Sequence, residues 1–132
     1  MFSSHLSQLL IALAAASSVC AGPIQFVTNY EVWDAFYPVA CPATVAPATG
    51  SFVEGTCTNL DGFSFKFTPS GPEDVTCTAQ FFNATGCGGT SDTVNLQSNE
   101  ESSCLVPTFA EGAIISQLPN DHHARSVKVN CV

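Results

Sequence analysis

Hydrophobic and polar residues alternate along the middle and the C-terminal part of the chain. In the segment DGFSFKFTPSGP, Phe63, Phe65 and Phe67 fall on one face and polar residues fall on the other. In VTCTAQFF, which covers residues 75–82, apolar residues alternate with threonine and glutamine in the same way. A period of two in segments rich in β-branched and aromatic residues predicts half-buried strands.

Two further strands are predicted beyond the glycine-rich turn NATGCGG. They are TVNLQS, residues 93–98, and RSVKVNC, residues 125–131, and the second places Val127, Val129 and Cys131 on one side. Short strands separated by glycine and proline turns predict an all-β fold. We expect a small antiparallel β-sandwich of the Greek-key type, stabilised by disulfides.

The segment GPIQFVTNYEVWDAFYPVACP carries two competing patterns. Thr28 and Glu31 have the spacing of a capping box, and the aromatic residues from Phe26 to Tyr37 share a helical face. The β-rich composition favours a strand, which is our prediction, and one short helix near the mature N-terminus is the alternative. The segment PATVAPATGS, residues 42–51, predicts a surface loop.

The first residues of the chain have the pattern of a secretory signal peptide. The apolar run from Leu9 to Ala16 is shorter than the ~20 residues that a membrane-spanning helix needs. Small residues follow, with Val19 and Ala21 in the positions that favour cleavage before Gly22. We therefore predict a signal peptide at residues 1–21, no membrane insertion, and a single secreted domain at residues 22–132.

The cysteines indicate an oxidising compartment. One of the seven, Cys20, would leave with the signal peptide, and the remaining even set predicts three disulfides in a secreted protein. The sequence does not choose their pairing. The six cysteines of the predicted mature chain are Cys41, Cys57, Cys77, Cys87, Cys104 and Cys131.

The charge balance limits the class of partner. The chain holds 11 acidic residues and 3 lysines or arginines, which gives a net charge of −8. Such a surface repels phosphate backbones and anionic membranes. We expect no nucleic-acid partner, and an extracellular protein or a glycan fits the predicted location.

The segment LPNDHHARSVKVNCV at the C-terminus contains the most obvious candidates for chemistry. Asp121 with His122 or His123 could belong to a triad or a zinc site, but no serine lies in a Gly-x-Ser-x-Gly turn. Zinc takes three or four ligands, and neighbouring residues of a strand point to opposite faces. The segment therefore predicts an exposed polar loop leading into the last strand, with no catalytic residue.

A small secreted hydrolase or nuclease is the enzymatic alternative. Glu54, either histidine and Arg125 are the residues that could surround a phosphate. The paired acids at residues 73–74 and 100–101 are sequence neighbours on loops, which is typical of solvated charge.

One motif predicts a covalent modification. The sequence Asn-Ala-Thr at residues 83–85 is an N-glycosylation sequon placed at a predicted turn. We expect glycosylation of Asn83 in a eukaryotic host.

Residues 75–131 carry a family resemblance. The order VTCTAQFFNATGCGGTSDTVNLQS, a variable crossing and ARSVKVNC resembles one Greek-key motif of the βγ-crystallin superfamily. The resemblance implies that Ser126, near the start of the last strand, hydrogen-bonds back to the folded-over hairpin. The layout of the whole chain is similar to that of small cysteine-rich secreted proteins of filamentous fungi, among them effector candidates.

The crystallin resemblance also implies a calcium site. Its candidate ligands are Asn120, Asp121 and Asp92, with Asn95 as a further oxygen donor. The expected pattern is broken at Ala124, which supplies no side-chain oxygen where the family has serine or threonine. Calcium takes six to eight oxygen ligands. No cofactor is therefore predicted, and Ca²⁺ remains the alternative.

These features favour a small secreted cysteine-rich protein that is not an enzyme. We predict an effector-like protein or extracellular interaction module. A calcium-binding crystallin-like domain and a small hydrolase or nuclease are the two alternatives.

Overall fold

The computed structural model describes residues 25–109 and 118–132, which form seven strands in two antiparallel sheets. The predicted signal peptide, residues 1–21, lies outside the described residues. The strands are β1 Val27–Trp33, β2 Ala48–Val53, β3 Thr58–Gly62, β4 Ser64–Ser70, β5 Thr76–Phe82, β6 Ser91–Gln97 and β7 Ala124–Cys131. One sheet has the order β2-β1-β4 and the other the order β3-β7-β5-β6. The all-β prediction, with a small antiparallel sandwich, is confirmed.

The alternating residues form the core between the sheets, as their period of two predicts. Phe65 and Phe67 of β4 face Phe81 of β5 and Val127 and Val129 of β7, and all are fully buried. The Phe65 and Phe81 ring centroids lie 4.9 Å apart, and those of Phe67 and Phe81 lie 5.6 Å apart. Burying each such side chain contributes about 1.5–3 kcal/mol.

Phe63 departs from the predicted pattern. It lies between β3 and β4 rather than within a strand, and its half-buried ring stacks on His123 instead of entering the core. The chain passes from one sheet to the other at this point, and the alternation of buried and less buried residues in β4 begins at Phe65.

The N-terminal segment is a strand, and the alternative of a short helix is wrong. β1 is the central strand of its sheet and pairs along its length with both β2 and β4. Two neighbouring strands satisfy its backbone groups, and Thr28 and Val32 point into the core. Pairing with two strands therefore determines the structure of this segment, although its aromatic residues have helical spacing.

The surface loop predicted at residues 42–51 is wrong at its C-terminal end. Ala48–Ser51 belong to edge strand β2, whose Phe52 enters the core. Gly50 has a packing role in this strand, because a Cβ there would lie 2.4 Å from the Tyr30 hydroxyl. The Tyr30 ring crosses the strand at this point and stacks on Phe52.

Three disulfides connect the described parts of the chain, and their formation was predicted although their pairing was not. The bridges are Cys41–Cys104, Cys57–Cys87 and Cys77–Cys131. The last joins directly paired residues of β5 and β7. The first joins the loop after β1 to the segment after β6, and the second joins the β2–β3 connection to the turn after β5.

Candidate functional site

The two histidines of the C-terminal segment are each held by the fold. His122 is buried, its Nδ1 lies 2.9 Å from the carbonyl oxygen of Pro107, and its ring stacks on Phe36. His123 contacts Asp61 through Nε2, and its ring stacks on Phe63 at 4.5 Å. Both imidazoles therefore pack against the domain, and the prediction of an exposed loop is wrong at His122, which is buried.

The residues nominated for a nuclease do not come together. The Glu54 carboxylate accepts hydrogen bonds from the backbone N–H of Phe26, at 3.1 Å, and of Cys131, at 3.0 Å. It thereby connects the two sheets. Cys131 lies six positions after Arg125 on β7, which places Glu54 and Arg125 at opposite ends of the strand. At about 3.3 Å per residue, these ends are about 20 Å apart.

Two of the candidate calcium ligands accept hydrogen bonds from adjacent residues of one short segment. Asp92 Oδ2 accepts a hydrogen bond from the Thr108 N–H at 3.0 Å, and the Asp121 carbonyl oxygen accepts one from the next residue, Phe109, at 2.7 Å. Asp92 and Asp121 thus hold one short segment between them, with Asn120 beside Asp121. Asn95 is exposed on the opposite face of β6 from Asp92.

No group of three or more histidine, cysteine, aspartate or glutamate side chains is arranged to hold a metal within residues 25–109 and 118–132.

The sequon lies at the turn between β5 and β6. Asn83 pairs with Thr90 through its backbone N–H, at 3.1 Å, and its Oδ1 accepts from the Thr90 N–H at 2.9 Å. Thr85 is exposed. Among the described residues, the Asn83 Nδ2 atom has no hydrogen-bond partner, and this is the atom to which a glycan would attach. Glycosylation of Asn83 stays a prediction.

Ser126 links β7 to the same turn. Its buried hydroxyl donates to the Ala84 carbonyl oxygen at 2.6 Å and accepts from the Cys87 N–H at 2.9 Å. This contact is of the kind that the crystallin resemblance implied. The resemblance itself stays a prediction.

The outer face of the β2-β1-β4 sheet carries an open groove of about 400 Å³. The strand register arranges its side chains in two rows. One row runs Thr49, Glu31, Lys66 across the three strands. The second row is parallel to it and consists of Ser51, Asn29 and Thr68. Hydroxyl, amide and charged groups therefore project together into one concave surface, which we call the outer groove.

The charges of the outer groove are only partly paired. Lys66 Nζ lies 3.8 Å from a carboxylate oxygen of Glu101 at the rim, an exposed ion pair of little energetic weight. Glu31 is half-buried beside Lys66, yet within the described residues it has no ion pair and no side-chain hydrogen bond. The Asn29, Thr49, Ser51 and Thr68 side chains likewise make no hydrogen bond to the described protein. Their donors and acceptors are available to a ligand.

The outer groove was not predicted from the sequence. The alternation of polar Asn29 and Glu31 with Thr28, Tyr30 and Val32 was visible in the N-terminal segment. That alternation predicts a strand but does not identify its neighbours. The residues of β2, which form one wall of the groove, were predicted to be a loop.

The chain matches no protein-family model, and comparisons with curated proteins and with solved structures gave no match. Within the part of the chain that the structure describes, no helix has the length and apolar character required to cross a membrane.

Proposed function

We propose that this chain is a small secreted protein without enzymatic activity, an effector-like or extracellular interaction module that binds an extracellular protein or a glycan. The observation that carries the proposal is the outer groove, where unpaired polar side chains from three strands face a concave surface. Concave surfaces with a few converging polar groups are the usual places of ligand binding.

Two further observations support the proposal. Three disulfides cross-link the domain, as is typical of small proteins that act in an oxidising extracellular environment. The residues best suited to catalysis, His122, His123 and Glu54, contact the protein's own backbone, aromatic rings or Asp61. These contacts give each of the three side chains a structural role.

Purified secreted protein should hydrolyse no ester, glycoside, phosphodiester or peptide substrate above the buffer rate. The assay should include His122→Ala and His123→Ala variants, with Asn95→Ala on the far sheet as a folding-neutral control. Turnover by the native protein that either histidine variant abolishes, and Asn95→Ala retains, would overturn the proposal in favour of the hydrolase alternative.

Calcium binding is the second candidate function. It ranks second because Asp92 and Asp121 contact the same short segment, at Thr108 and Phe109, while the Asp92 carboxylate already accepts a hydrogen bond from the Thr108 N–H. Its test is a comparison of melting temperatures in Ca²⁺ and in chelator.

A further inference from the structure

We infer that the outer groove binds a short neutral oligosaccharide. This inference rests on the proposed function and names the ligand class of that site. It follows from the kinds of hydrogen-bonding group in the groove, from their charge and from their spacing.

The uncharged groups of the outer groove can both donate and accept hydrogen bonds. The hydroxyls of Thr49, Ser51 and Thr68 each offer a donor and an acceptor, and the Asn29 amide offers both as well. A sugar hydroxyl has the same dual character. An ammonium or guanidinium ligand only donates and would leave many of the protein's donors without partners.

The charges of the groove disfavour ionic ligands of either sign. Its charged side chains are Glu31, Lys66 and Glu101, so two carboxylates face one ammonium and the net charge is negative. Phosphate or sulfate groups would be repelled by this surface and by the chain's net charge of −8. A cationic ligand would be attracted to Glu31 but would meet Lys66 directly beside it.

The half-buried Glu31 carboxylate is the central group. It offers two oxygens that accept hydrogen bonds, and two neighbouring hydroxyls of a sugar ring can donate to them together. Hydrogen bonds to an ionised acceptor are about twice as strong as neutral ones. The Asn29 amide lies two residues away on the same face of β1, about 7 Å along the strand, where it can reach another part of the same ligand.

The shape of the site fits an extended ligand. Strands lie about 4.8 Å apart, so each row of three residues spans about 10 Å across the sheet. An open groove with two such rows can hold more than one sugar ring. Apart from Tyr30 and Gly50, every lining residue has a polar or charged side chain, which disfavours an apolar ligand.

The test is a titration of the full secreted chain, labelled with ¹⁵N, with hexamers of neutral sugars at millimolar concentration. The probes are β-1,3-glucan, β-1,4-glucan, α-1,4-glucan, α-mannan and β-1,4-linked N-acetylglucosamine. The deacetylated glucosamine hexamer and a sulfated glucan hexamer are the cationic and anionic probes. We expect at least one neutral hexamer to shift the amide signals of β1, β2 and β4, and the sulfated hexamer to bind more weakly.

Two variants locate the site, and a matched variant serves as the control. Glu31→Gln and Asn29→Ala should each weaken binding roughly tenfold or more, because each removes hydrogen bonds made in the groove. Asn95→Ala removes the same side chain as Asn29→Ala from an exposed strand position on the other sheet, and it should leave the affinity unchanged. Unchanged melting temperatures of the variants exclude loss of the fold as the cause of weaker binding.

The possible failures are distinguishable. Binding by the cationic hexamer alone, no binding by any neutral hexamer, or neutral binding that ignores Glu31→Gln and Asn29→Ala would each overturn the oligosaccharide inference. None of these results contradicts the proposal that the chain is a non-enzymatic module. Cleavage of a bound hexamer during the titration would instead overturn that proposal while supporting the ligand class.

Discussion

At the scale of single residues, the Ser126 hydroxyl is a structural connection between β7 and the turn after β5. The residue is fully buried, and its Oγ serves both the Ala84 carbonyl oxygen and the Cys87 N–H. Ser126→Ala leaves a carbonyl and an amide near the core without partners. We expect a loss of about 1–3 kcal/mol in the free energy of unfolding, measured by urea denaturation.

Ser103→Ala is the matched control for this prediction. Ser103 is exposed, and its hydroxyl makes no hydrogen bond to the described residues, so its removal should change stability little. Equal urea midpoints for the two variants would contradict the role assigned to Ser126. The stability of Ser126→Ala thus measures how strongly this hydroxyl attaches the turn after β5 to β7.

Gly50 in β2 illustrates a residue that only the structure explains. The Tyr30 ring occupies the place of its missing side chain, with ring carbon Cζ at 2.6 Å from an ideal Cβ. Gly50→Ala must therefore displace a ring that is stacked on Phe52. We expect it to cost about 1–3 kcal/mol of stability in urea denaturation.

Gly88→Ala provides the control substitution, because a Cβ at Gly88 meets its nearest atom at an ordinary 3.6 Å and the backbone φ is −109°. It should be neutral or slightly stabilising. In a Tyr30→Ala background the cost of Gly50→Ala should largely disappear, since contacting residues are not additive. An undiminished cost in that background would show that the tyrosine ring is not the reason for the glycine.

At the scale of elements, the sequence predicted strands wherever the alternation involved large residues. β4, β5 and β7 carry Phe65, Phe67, Phe81, Val127 and Val129 inward, and side chains of this size make the period of two unmistakable. β2 escaped prediction because Ala48 and Gly50, on either side of Thr49, have low β-propensity. Its strand conformation comes from pairing with β1, which is a tertiary effect.

The outer groove could not be predicted for a related reason. Its two rows combine residues of three strands that are far apart in the sequence, and only their register brings Thr49, Glu31 and Lys66 together. The pattern of β1 could show that Asn29 and Glu31 share a face, but not which strands lie beside it. The histidine segment is the opposite case. Its adjacent histidines suggest a catalytic or metal site in the sequence, and in the structure their rings stack on Phe36 and Phe63.

At the scale of the whole molecule, two of the three disulfides fix connections that the strand register does not. Cys41–Cys104 closes a loop with a sequence separation of 63, and Cys57–Cys87 closes one of 30. Replacing both cysteines of either pair by serine should lower the free energy of unfolding by about 2–5 kcal/mol, and more for the longer loop. Urea denaturation of the two double variants measures the difference.

Mass spectrometry of non-reduced peptides gives the accompanying check on connectivity. It should recover the three pairs seen in the structure, and free thiols or any other pairing in the purified protein would contradict the fold's cross-links.

Calcium offers the final prediction at this scale, because a ligand specific for the folded state raises its melting temperature by mass action. Asp92 already accepts the Thr108 N–H, and Ala124 provides no side-chain oxygen beside Asn120 and Asp121. We therefore expect the same melting temperature in millimolar Ca²⁺ and in chelator, with Mg²⁺ as the control for ionic strength. A rise specific to Ca²⁺ that Asp121→Asn abolishes would favour the calcium-binding alternative, since an electrostatic effect of the net charge of −8 would respond to both cations.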